Sequence, residues 1–592
     1  MISEIWKRIT GRGRVPAGKK GLAVIFALTL LFTVISAFCL YRELDWGEEM
    51  KLTVEVYHGG QTERLVCWKN DDGVWFAFLP GYADLSQVRL RTNTFRTVKL
   101  DGVYVPDGMT CEGLELGREY GLVYNGKAYY PLIFLQSANC PTMFLDTESG
   151  SMDHIKTQKG NEETGVLRLY DETGSLLCSG VLDSVKGRGN ASWLRSKKPY
   201  SLRLSQSTDL LGMGAAERWI LLANANDGSN LRNRIVMDLA RETGMGATPD
   251  CRWVDLYLNG EYAGLYLLSE RNEIHPQRVN ISQTNGFLVS VEPEIRLAEQ
   301  NYPYVKTSMG NALRIHGGYL DHSVIAGIFQ SVENAILSET DTDPVTGKTL
   351  DQLIDLDSWA RKYLLEELIA NYDAGAVSQF FYGSDAGKVF AGPAWDYDGA
   401  FGFSAWQSAN PYGILAGRER VRDGVYPWFF GLYQKEGFRN RVIELYRQEF
   451  RPVLERLLSE QVPQYASDLQ IAAEMNDRRN HVDDSEMSIQ WIQTFMAERM
   501  AFLDSYWLEG EPFCLVHINN GEGTWGCVAV RSGETVTSLP EAEAPGEGQY
   551  PVWYNADTGL PFDIRQPIVA DCHIVLKWET AESSAVEAGG VH

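Results

Sequence analysis

Hydrophobic and polar residues alternate along residues 51–140 in short runs separated by glycine, asparagine and aspartate. Runs such as KLTVEVYHG, GVWFAFLP and YGLVYNGKAYYPL are also rich in β-branched and aromatic side chains. A period of two with this composition is typical of antiparallel strands. The pattern predicts an all-β module over residues 45–138, and nothing in it indicates chemistry.

The pattern becomes mixed over residues 140–290, where strand-like runs flank one helical stretch, NLRNRIVMDLARETG. This helix is predicted to end at Gly244, with Arg241 in its last turn, because glycine tolerates the left-handed conformation that closes helices. From about residue 323 to residue 505 the apolar residues recur at helical spacing.

The clearest helix of that region is DSWARKYLLEELIAN. Asp357 is its expected N-cap, and the helix is expected to end at Asn371. Strand-like runs return after Pro512. They predict a small β unit over residues 512–580, which leaves a tail over residues 581–592.

The amino-terminal residues are first basic and then uniformly apolar. Residues 1–20 carry six lysines and arginines against one glutamate, and GLAVIFALTLLFTVISAFCLY, residues 21–41, contains no charged side chain. A helix of this length spans about 30 Å of hydrocarbon. We therefore expect a cytoplasmic segment over 1–20, a transmembrane signal anchor over 21–41 and the rest of the chain outside the cytoplasm. A signal peptide cleaved near Ala37 is the alternative.

Composition narrows the function classes. The chain has 592 residues, 44% of them hydrophobic, which is typical of a globular protein with several domains. Its net charge of −24 argues against nucleic acid as a partner, because phosphate binding requires clustered lysine and arginine. Eight cysteines besides Cys39 are compatible with disulfides outside the cytoplasm, but their pairing cannot be deduced. The nine histidines show no metal-binding spacing, so a structural zinc site is not expected.

Two stretches suit either a nucleotide site or an ordinary surface. KGRGNASWLRSKKPYSLRL, residues 186–204, places a glycine-bearing turn before Lys197 and Lys198. Free backbone N–H groups beside an ammonium suit nucleotide phosphates, although a solvated hairpin has the same pattern. WILLANANDGSNLRNRIVMDLA, residues 219–240, clusters Asn and Asp at a helix start, where such residues also serve as caps.

A third stretch, VDLYLNGEYAGLYLLSERNEI, predicts a hairpin that turns at Asn259-Gly260. Its second strand ends at Glu270, a carboxylate that can pair with a lysine such as Lys198 or simply face solvent.

The fourth stretch, LIANYDAGAVSQFFYGSDAGKVFAGPAWDYDGAFG, contains two acidic loops separated by a predicted strand pair. Asp373 lies in the first loop, followed by Gln379, and Asp396 and Asp398 lie in the second. A hairpin between the loops returns them to the same end of a sheet. One acid can then orient a hydroxyl while the others hold Mg²⁺, as phosphoryl transfer requires. The alternative for Asp396 and Asp398 is a turn, although their aromatic neighbours are unusual for one.

Taken in order, the four stretches resemble the CotH kinase family, named for a bacterial spore coat protein. The resemblance covers roughly residues 140–405 and rests on RGNASW…KKPYSLRL, WILLANANDGSNLRN, VDLYLNGEYAGLYLLSE and the pair NYDA and GPAWDYDGAFG. It implies an atypical, secreted-type kinase that transfers the γ-phosphate of ATP to Ser or Thr of proteins. The expected fold class is α+β: an atypical protein-kinase-like core over 139–508, with a β-rich N-lobe and a helical C-lobe, flanked by small all-β modules and preceded by one N-terminal transmembrane helix.

The resemblance also implies roles at the acidic loops. Asp373 resembles the family's catalytic acid and Asp396 its metal-binding acid, with Asp398 as a supporting metal ligand. Gln379 is a further metal candidate, but it stands where many relatives carry Asn, which puts a second metal in doubt. The implied metal is Mg²⁺ or Mn²⁺.

For ATP, Lys198 is the expected phosphate-binding lysine and Lys197 the alternative. Arg188 and Glu270 complete the expected ATP-binding set, Glu270 as the partner of the lysine.

The carboxy-terminal unit resembles the small β repeats of bacterial surface proteins through GETV, the pair Trp553-Tyr554, FDI…PIVAD and LKW. Two functions follow from the whole chain. The first is a membrane-anchored extracytoplasmic kinase acting on Ser or Thr of cell-envelope or coat proteins. The second is a non-catalytic surface adhesion or envelope-organising protein with a degenerate kinase-like core. A hydrolase has less support, since no GxSxG or Cys/His pattern occurs.

Overall fold

The structure is a computed structural model. It describes residues 29–34, 36, 51–92, 98–124, 128–402, 406–421, 425–481, 485–521, 525–541, 546 and 548–580. The chain divides into two units: one comprises Met1–Phe78 and Asp84–Leu135, and the other comprises Leu79–Ala83 and Gln136–His592.

The first unit is made of short strands, as the alternating pattern predicts. One antiparallel sheet has the order β2-β1-β5, and a second sheet has the order β3-β4-β9-β8-β6-β7. The strands are β1 Leu52–His58, β2 Gln61–Val66, β3 Trp68–Lys69, β4 Trp75–Leu79, β5 Arg89–Thr92, β6 Val98–Leu100, β7 Val103–Val105, β8 Glu119–Tyr124 and β9 Ala128–Gln136. Strand β4 is buried along its whole length, so its apolar residues form part of this unit's core.

The second unit begins with seven strands that close on themselves. Their order is β14-β13-β12-β11-β10-β15-β16, and β16 pairs back onto β14, from Trp219 opposite Glu270 to Leu222 opposite Leu267. The strands are β10 Thr142–Thr147, β11 Glu162–Tyr170, β12 Leu176–Gly187, β13 Tyr200–Asp209, β14 Ala215–Leu222, β15 Cys251–Leu258 and β16 Glu261–Glu270. Closure leaves no free edge and encloses an apolar core around Trp219.

A five-stranded sheet follows, in the order β18-β19-β17-β20-β21, and it packs against helices. The strands are β17 Gly286–Val291, β18 Tyr304–Lys306, β19 Ala312–Gly317, β20 Gln379–Ser384 and β21 Phe390–Ala391. The α-helices of the second unit are α1 Asp153–Thr157, α2 Arg232–Glu242, α3 Glu294–Glu299, α4 His322–Leu337, α5 Leu350–Leu353, α6 Leu356–Leu368, α7 Trp406–Ala409, α8 Trp428–Tyr433, α9 Glu436–Leu445, α10 Arg451–Arg456, α11 Val462–Asn480 and α12 Ser485–Leu503. Helices α9 to α11 follow one another through π-helical turns at Tyr446–Phe450 and Leu457–Gln461.

The carboxy-terminal sheet has the order β23-β22-β25-β24, and β22 and β25 run parallel. Its strands are β22 Phe513–Asn519, β23 Trp525–Arg531, β24 Gln549–Asn555 and β25 Cys572–Thr580. Strand β23 is hydrogen-bonded to a loop of the helical part: Ile414 N donates to Cys527 O over 2.9 Å, and Ala529 N donates to Tyr412 O over 2.9 Å. This sheet is therefore joined directly to the segment that follows α7.

The predicted fold class is wrong. In place of a β-rich lobe followed by a helical lobe, a closed seven-stranded sheet precedes a helical region that contains a second sheet of five strands. Periodicity along the chain could not show the pairing of β14 with β16, because that pairing joins strands with a helix and a strand between them. The predicted membrane helix over 21–41 lies largely outside the described residues. Among the residues that are described, no helix is long and apolar enough to cross a membrane.

Local predictions had mixed outcomes. Helix α2 ends where Gly244 adopts a φ of 74°, which confirms the predicted stop. Helix α6 is capped by Asp355, not Asp357, because Asp355 accepts a hydrogen bond from Ser358 N over 2.9 Å. Asp357 instead pairs with Arg441, and α6 ends at Leu368 before Asn371. The eight cysteines of the described segments are free thiols.

Candidate active site

Asp396 lies in the loop that leaves β21, two residues before the turn that begins at Asp398. Its backbone has a φ of 72°, a left-handed conformation that is unfavourable for a residue with a Cβ. Its carboxylate is exposed, and Oδ2 accepts a hydrogen bond from Ser378 Oγ over 2.9 Å. Ser378 also has a positive φ, of 54°, so two strained residues meet at this contact. Strain of this kind is retained where the surroundings hold a functional geometry.

Asp373 lies on the facing loop, after α6. Arg418 fixes this loop, because its Nη2 donates to Tyr372 O over 2.9 Å and to Ala374 O over 3.1 Å. Burial, together with the negative charges of Asp396 and Asp398, raises the pKa of the Asp373 carboxyl to about 7. The predicted hairpin, β20 with β21, therefore does bring the two acidic loops together.

Asp398 is the third acid of this group. Its Oδ2 accepts a hydrogen bond from Asn226 Nδ2 over 3.4 Å, which links it to the loop before α2. Burial, together with the negative charge of Asp396, raises the pKa of Asp398 to about 6. Carboxylates this close repel one another, and a divalent cation between them would remove the repulsion.

The amino-terminal end of α2 supports the second acidic loop. Asn233 Oδ1 accepts from Tyr397 N over 2.9 Å, and Arg232 Nε donates to Ala400 O over 3.0 Å. Arg232 is itself held by a buried ion pair with Asp227. The Asn- and Asp-rich stretch 219–240 therefore does more than cap α2: it also positions the loop that carries Asp396.

A buried network beneath the acids joins both loops to α6. Glu366 accepts from Asn371 Nδ2 over 2.5 Å and from the Tyr397 hydroxyl over 3.0 Å. Lys362 pairs with Glu366 over 2.5 Å and also donates to the Tyr397 hydroxyl over 2.9 Å. Asn371 lies two residues before Asp373, in the first acidic loop, and Tyr397 lies in the second loop, between Asp396 and Asp398. Because Asn371 and Tyr397 both donate to Glu366, this one buried carboxylate fixes both acidic loops. The helical apolar pattern of α6 gives no signal for this role.

Arginines provide positive charge next to the acids. The Arg188 guanidinium lies 5.4 Å from the centroid of the Trp395 ring. Burial lowers the pKa of Arg188, while the charges of Asp396 and Asp398 oppose that shift. Arg271 and Arg314 belong to the same region: Arg271 acts electrostatically on Arg188, and Arg314 acts on Arg271.

These three arginines lack carboxylate partners within the described segments. In the described part of the chain no carboxylate forms an ion pair with Arg188, Arg271 or Arg314, and Arg314 Nε is buried without a hydrogen-bond acceptor. A guanidinium in this state suits an anionic group such as phosphate. Sequence reasoning missed Arg271 and Arg314, although Arg271 stands directly after Glu270 in the third stretch.

The predicted lysines lie elsewhere. Lys198 Nζ donates to Trp193 O over 2.8 Å and to Arg195 O over 2.9 Å, which closes its own loop. Lys197 is buried and donates to Leu265 O over 2.5 Å. Burial lowers the pKa of Lys197 to about 7, and the acids that oppose this shift are Asp477, Asp255 and Asp227. The structure therefore brings Arg188 to Asp396 and Asp398, but neither lysine.

Glu270 and Gln379 also have other partners. Glu270 forms an ion pair with Arg278 and accepts a hydrogen bond from Asp250 N over 2.8 Å. Gln379 is buried, donates to Val377 O over 3.0 Å and lines a small cavity beside Trp428. Its Oε1 is buried without a donor among the described residues. Ser378, the preceding residue, is the one that contacts Asp396.

The donors at the acidic loops fit a hard divalent cation. Asp373, Asp396 and Asp398 contribute carboxylate oxygens, and Asn226 and Ser378 lie within hydrogen-bonding distance of them. Oxygen donors of this kind suit Mg²⁺ or Mn²⁺, which bind through one or two carboxylates together with phosphate oxygens and water.

A family model described as CotH kinase protein matches residues 185–503. No curated protein matches the chain. The match confirms the family predicted from the four stretches, and it contains every predicted site residue. The resemblance of the carboxy-terminal sheet to surface-protein repeats lies outside the matched residues and stays a prediction.

Proposed function

This chain belongs to the CotH kinase protein family, and we propose that it transfers the γ-phosphate of ATP to a Ser or Thr hydroxyl of a protein. The observation that supports this proposal is the group of three carboxylates, Asp373, Asp396 and Asp398, placed beside Arg188, which has no ion-pair partner among the described residues. Acids for a metal and a guanidinium for phosphate are the two components that phosphoryl transfer requires.

Asp396 and Asp398 are the proposed metal ligands. A bound Mg²⁺ or Mn²⁺ would neutralise charge on the β- and γ-phosphates. Ser378 and Asn226 orient these carboxylates through their hydrogen bonds to Asp396 and Asp398. Gln379 is not proposed as a ligand, because its side chain faces the cavity beside Trp428.

Asp373 is the proposed general base. A carboxyl with a pKa of about 7 can accept the proton of a hydroxyl near neutral pH without being fully protonated beforehand. Bringing a cation to Asp396 and Asp398 would lower that pKa, since their negative charge is one of its causes. Metal binding and base activation are therefore coupled in this proposal.

Arg188 is the proposed phosphate-binding residue, in place of Lys198. Its guanidinium is held over Trp395, next to the metal-binding acids, and it can form two parallel hydrogen bonds to phosphate oxygens. Arg271 and Arg314 extend the positive region. The acceptor is proposed to be a protein of the cell envelope or coat, a choice that comes from the resemblance to the family alone.

Labelled ATP and the full chain test the proposal. With Mg²⁺ or Mn²⁺, we expect transfer of label to the chain itself or to an added envelope protein, and loss of transfer in Asp373→Asn and Asp396→Asn. The matched control is Asp385→Asn, an exposed aspartate at the tip of the β20–β21 hairpin, which should leave transfer unchanged.

The second candidate function is a non-catalytic surface protein with a degenerate core. The position of Gln379 away from Asp396 favours it, because one expected metal ligand is then missing. If the native chain neither binds ATP nor transfers label, while its fold is intact by circular dichroism, the non-catalytic function replaces the kinase.

A further inference from the structure

A second group of metal-binding side chains lies outside the acidic loops. Glu419, His517 and His573 each offer one ligand atom, and these atoms all lie within 4.8 Å of one another. Glu419 Oε2 is 2.9 Å from His573 Nε2 and 3.9 Å from His517 Nε2. We propose that these three residues, which we call the His-Glu site, bind a divalent transition-metal ion, with Zn²⁺ as the best match.

The two histidines are aligned by the backbone. His517 on β22 and His573 on β25 are direct partners in the parallel pair, and their rings are stacked with centroids 4.7 Å apart. Neighbouring positions on one face of a sheet hold both imidazoles at a fixed separation. Because the rings are stacked, both imidazoles and the side chain of Glu419, which comes from a loop, have to turn towards an ion that enters.

The spacing of the three ligand atoms is close to that of a metal site. In a tetrahedral zinc site with bonds of about 2.0–2.1 Å, ligand atoms are about 3.4 Å apart. The two separations from Glu419, 2.9 and 3.9 Å, lie on either side of this value, and the third separation is at most 4.8 Å. The 2.9 Å separation is also a hydrogen-bond distance, whereas 3.9 Å is too long for one. Two imidazoles and one carboxylate with an open fourth position are a common zinc ligand set. Imidazole ligands also favour Zn²⁺ over Mg²⁺ or Ca²⁺.

Asp557 supplies the support that a metal-binding histidine needs. Its Oδ1 lies 3.2 Å from His573 Nδ1, and its Oδ2 accepts from His573 N over 3.0 Å. A carboxylate on Nδ1 fixes the proton there and leaves Nε2 free to bind an ion.

The His-Glu site connects two parts of the second unit. His517 and His573 belong to the carboxy-terminal sheet, whereas Glu419 directly follows Arg418, which holds the carbonyl groups on either side of Asp373. A bound ion would tie the loop of Arg418 to the sheet. The site does not depend on the proposed kinase function, since its test measures metal binding.

Zinc titration of the full chain tests the site. The Asp396→Asn background removes metal binding at the acidic loops, and isothermal titration calorimetry then measures the remaining sites. We expect one Zn²⁺ per chain, an absorption spectrum of tetrahedral Co²⁺ when cobalt replaces zinc, and a higher melting temperature with Zn²⁺.

Variants locate the ion. His573→Ala and Glu419→Gln should each weaken Zn²⁺ binding at least about 10-fold, and Asp557→Asn should weaken it about 10- to 100-fold through loss of support for His573. His322→Ala, an exposed histidine at the start of α4, is the control and should bind Zn²⁺ normally. Circular dichroism establishes that each variant is folded.

Two results would overturn the site. One is the absence of saturable Zn²⁺ binding, which would leave a His573–Glu419 ion pair. The other is binding that survives in both Glu419→Gln and His573→Ala, because the ion would then lie elsewhere.

Discussion

Glu367 and Asp373 are two acids near the carboxyl end of α6, with opposite surroundings. Glu367 is fully buried, pairs with Arg499 over 2.7 Å, and accepts hydrogen bonds of 2.9 Å from the backbone of Leu415, Ala416 and Gly417. Asp373 has no cation within ion-pair distance in the described residues, and its pKa is raised by burial and by neighbouring acids.

This difference in partners distinguishes a carboxylate that stabilises the fold from one that serves a ligand. A buried carboxylate with all of its partners contributes to the fold, since removing one partner leaves an uncompensated charge. A buried carboxylate without partners destabilises the fold and persists where it serves a ligand. Glu367 is fully buried and Asp373 only partly, but the partners of each acid distinguish them more clearly than burial does.

Replacing Asp373 is the strongest test of this comparison. Asp373→Asn keeps the size of the side chain but removes the base, so phosphate transfer should fall by about 1000-fold. The melting temperature should not fall, because no ion pair is lost. Transfer of labelled phosphate and thermal unfolding of the same sample measure both effects. A variant that loses transfer only because it unfolds would contradict the functional role.

Replacing Glu367 should have the opposite result. Glu367→Gln leaves Arg499 buried without its counter-charge, and the free energy of unfolding should fall by about 3–5 kcal/mol. Chemical denaturation measures it. The control is Glu498→Gln, an exposed residue on the same helix as Arg499, which should change stability by less than about 0.5 kcal/mol. If the free energy of unfolding falls no more in Glu367→Gln than in Glu498→Gln, Glu367 does not stabilise the fold and the contrast with Asp373 is wrong.

The same contrast, between a charged group with partners and one without, applies to Lys198 and Arg188. Arg188→Met should weaken ATP binding by about 10- to 100-fold, because a charge-assisted hydrogen bond to phosphate is lost. Lys198→Met should change ATP affinity by less than about 3-fold, since Lys198 Nζ is occupied by carbonyl groups of its own loop. Fluorescence titration with a nucleotide analogue compares the two. The reverse order of effects would restore Lys198 as the phosphate-binding residue.

The last test concerns pH. The folded pKa of Asp373 is about 7 against an ordinary value of 3.8, so the folded state binds this proton more tightly than the unfolded chain does. Without metal, this group therefore lowers stability as the pH rises from 3.8 to about 7. At pH 8 Asp373→Asn should be more stable than the native chain by up to about 4 kcal/mol, and near pH 4 the two should be nearly equal.

Urea unfolding in the presence of a chelator measures this difference. Added Mg²⁺ with ATP should reduce it, because the native acids then have a counter-charge. A native chain that is the more stable protein at pH 8 would exclude a buried, unpaired Asp373.

The sequence predicted the acidic loops better than it predicted the fold. The glycine- and aspartate-rich turn between β20 and β21 indicated a hairpin, so the approach of Asp373 to Asp396 was foreseeable. Closure of the seven-stranded sheet was not, because it depends on β14 pairing with β16 across an intervening helix and strand. Predicted domain bounds and site roles stay predictions.

The positions of the lysine and arginine side chains were also hard to predict, because they too depend on the folded chain. Lys197 and Lys198 form a conspicuous pair in sequence, but the loop before β13 directs one inward and the other onto its own backbone. Arg314 belongs to a β-rich segment without any motif, and Arg271 stands near the end of the third stretch, directly after the predicted Glu270; only the folded chain places both near Arg188. His517 and His573 likewise become neighbours only through the pairing of β22 with β25.

The bridging position of Glu366 has an evolutionary consequence. Since Asn371 and Tyr397 both donate to this one side chain, neither acidic loop can change its anchor independently of the other. Substitutions at these three positions should occur together in descendants of this chain. In a lineage that loses Glu366, the shared anchor of the two acidic loops should be lost before Asp373 or Asp396 is replaced.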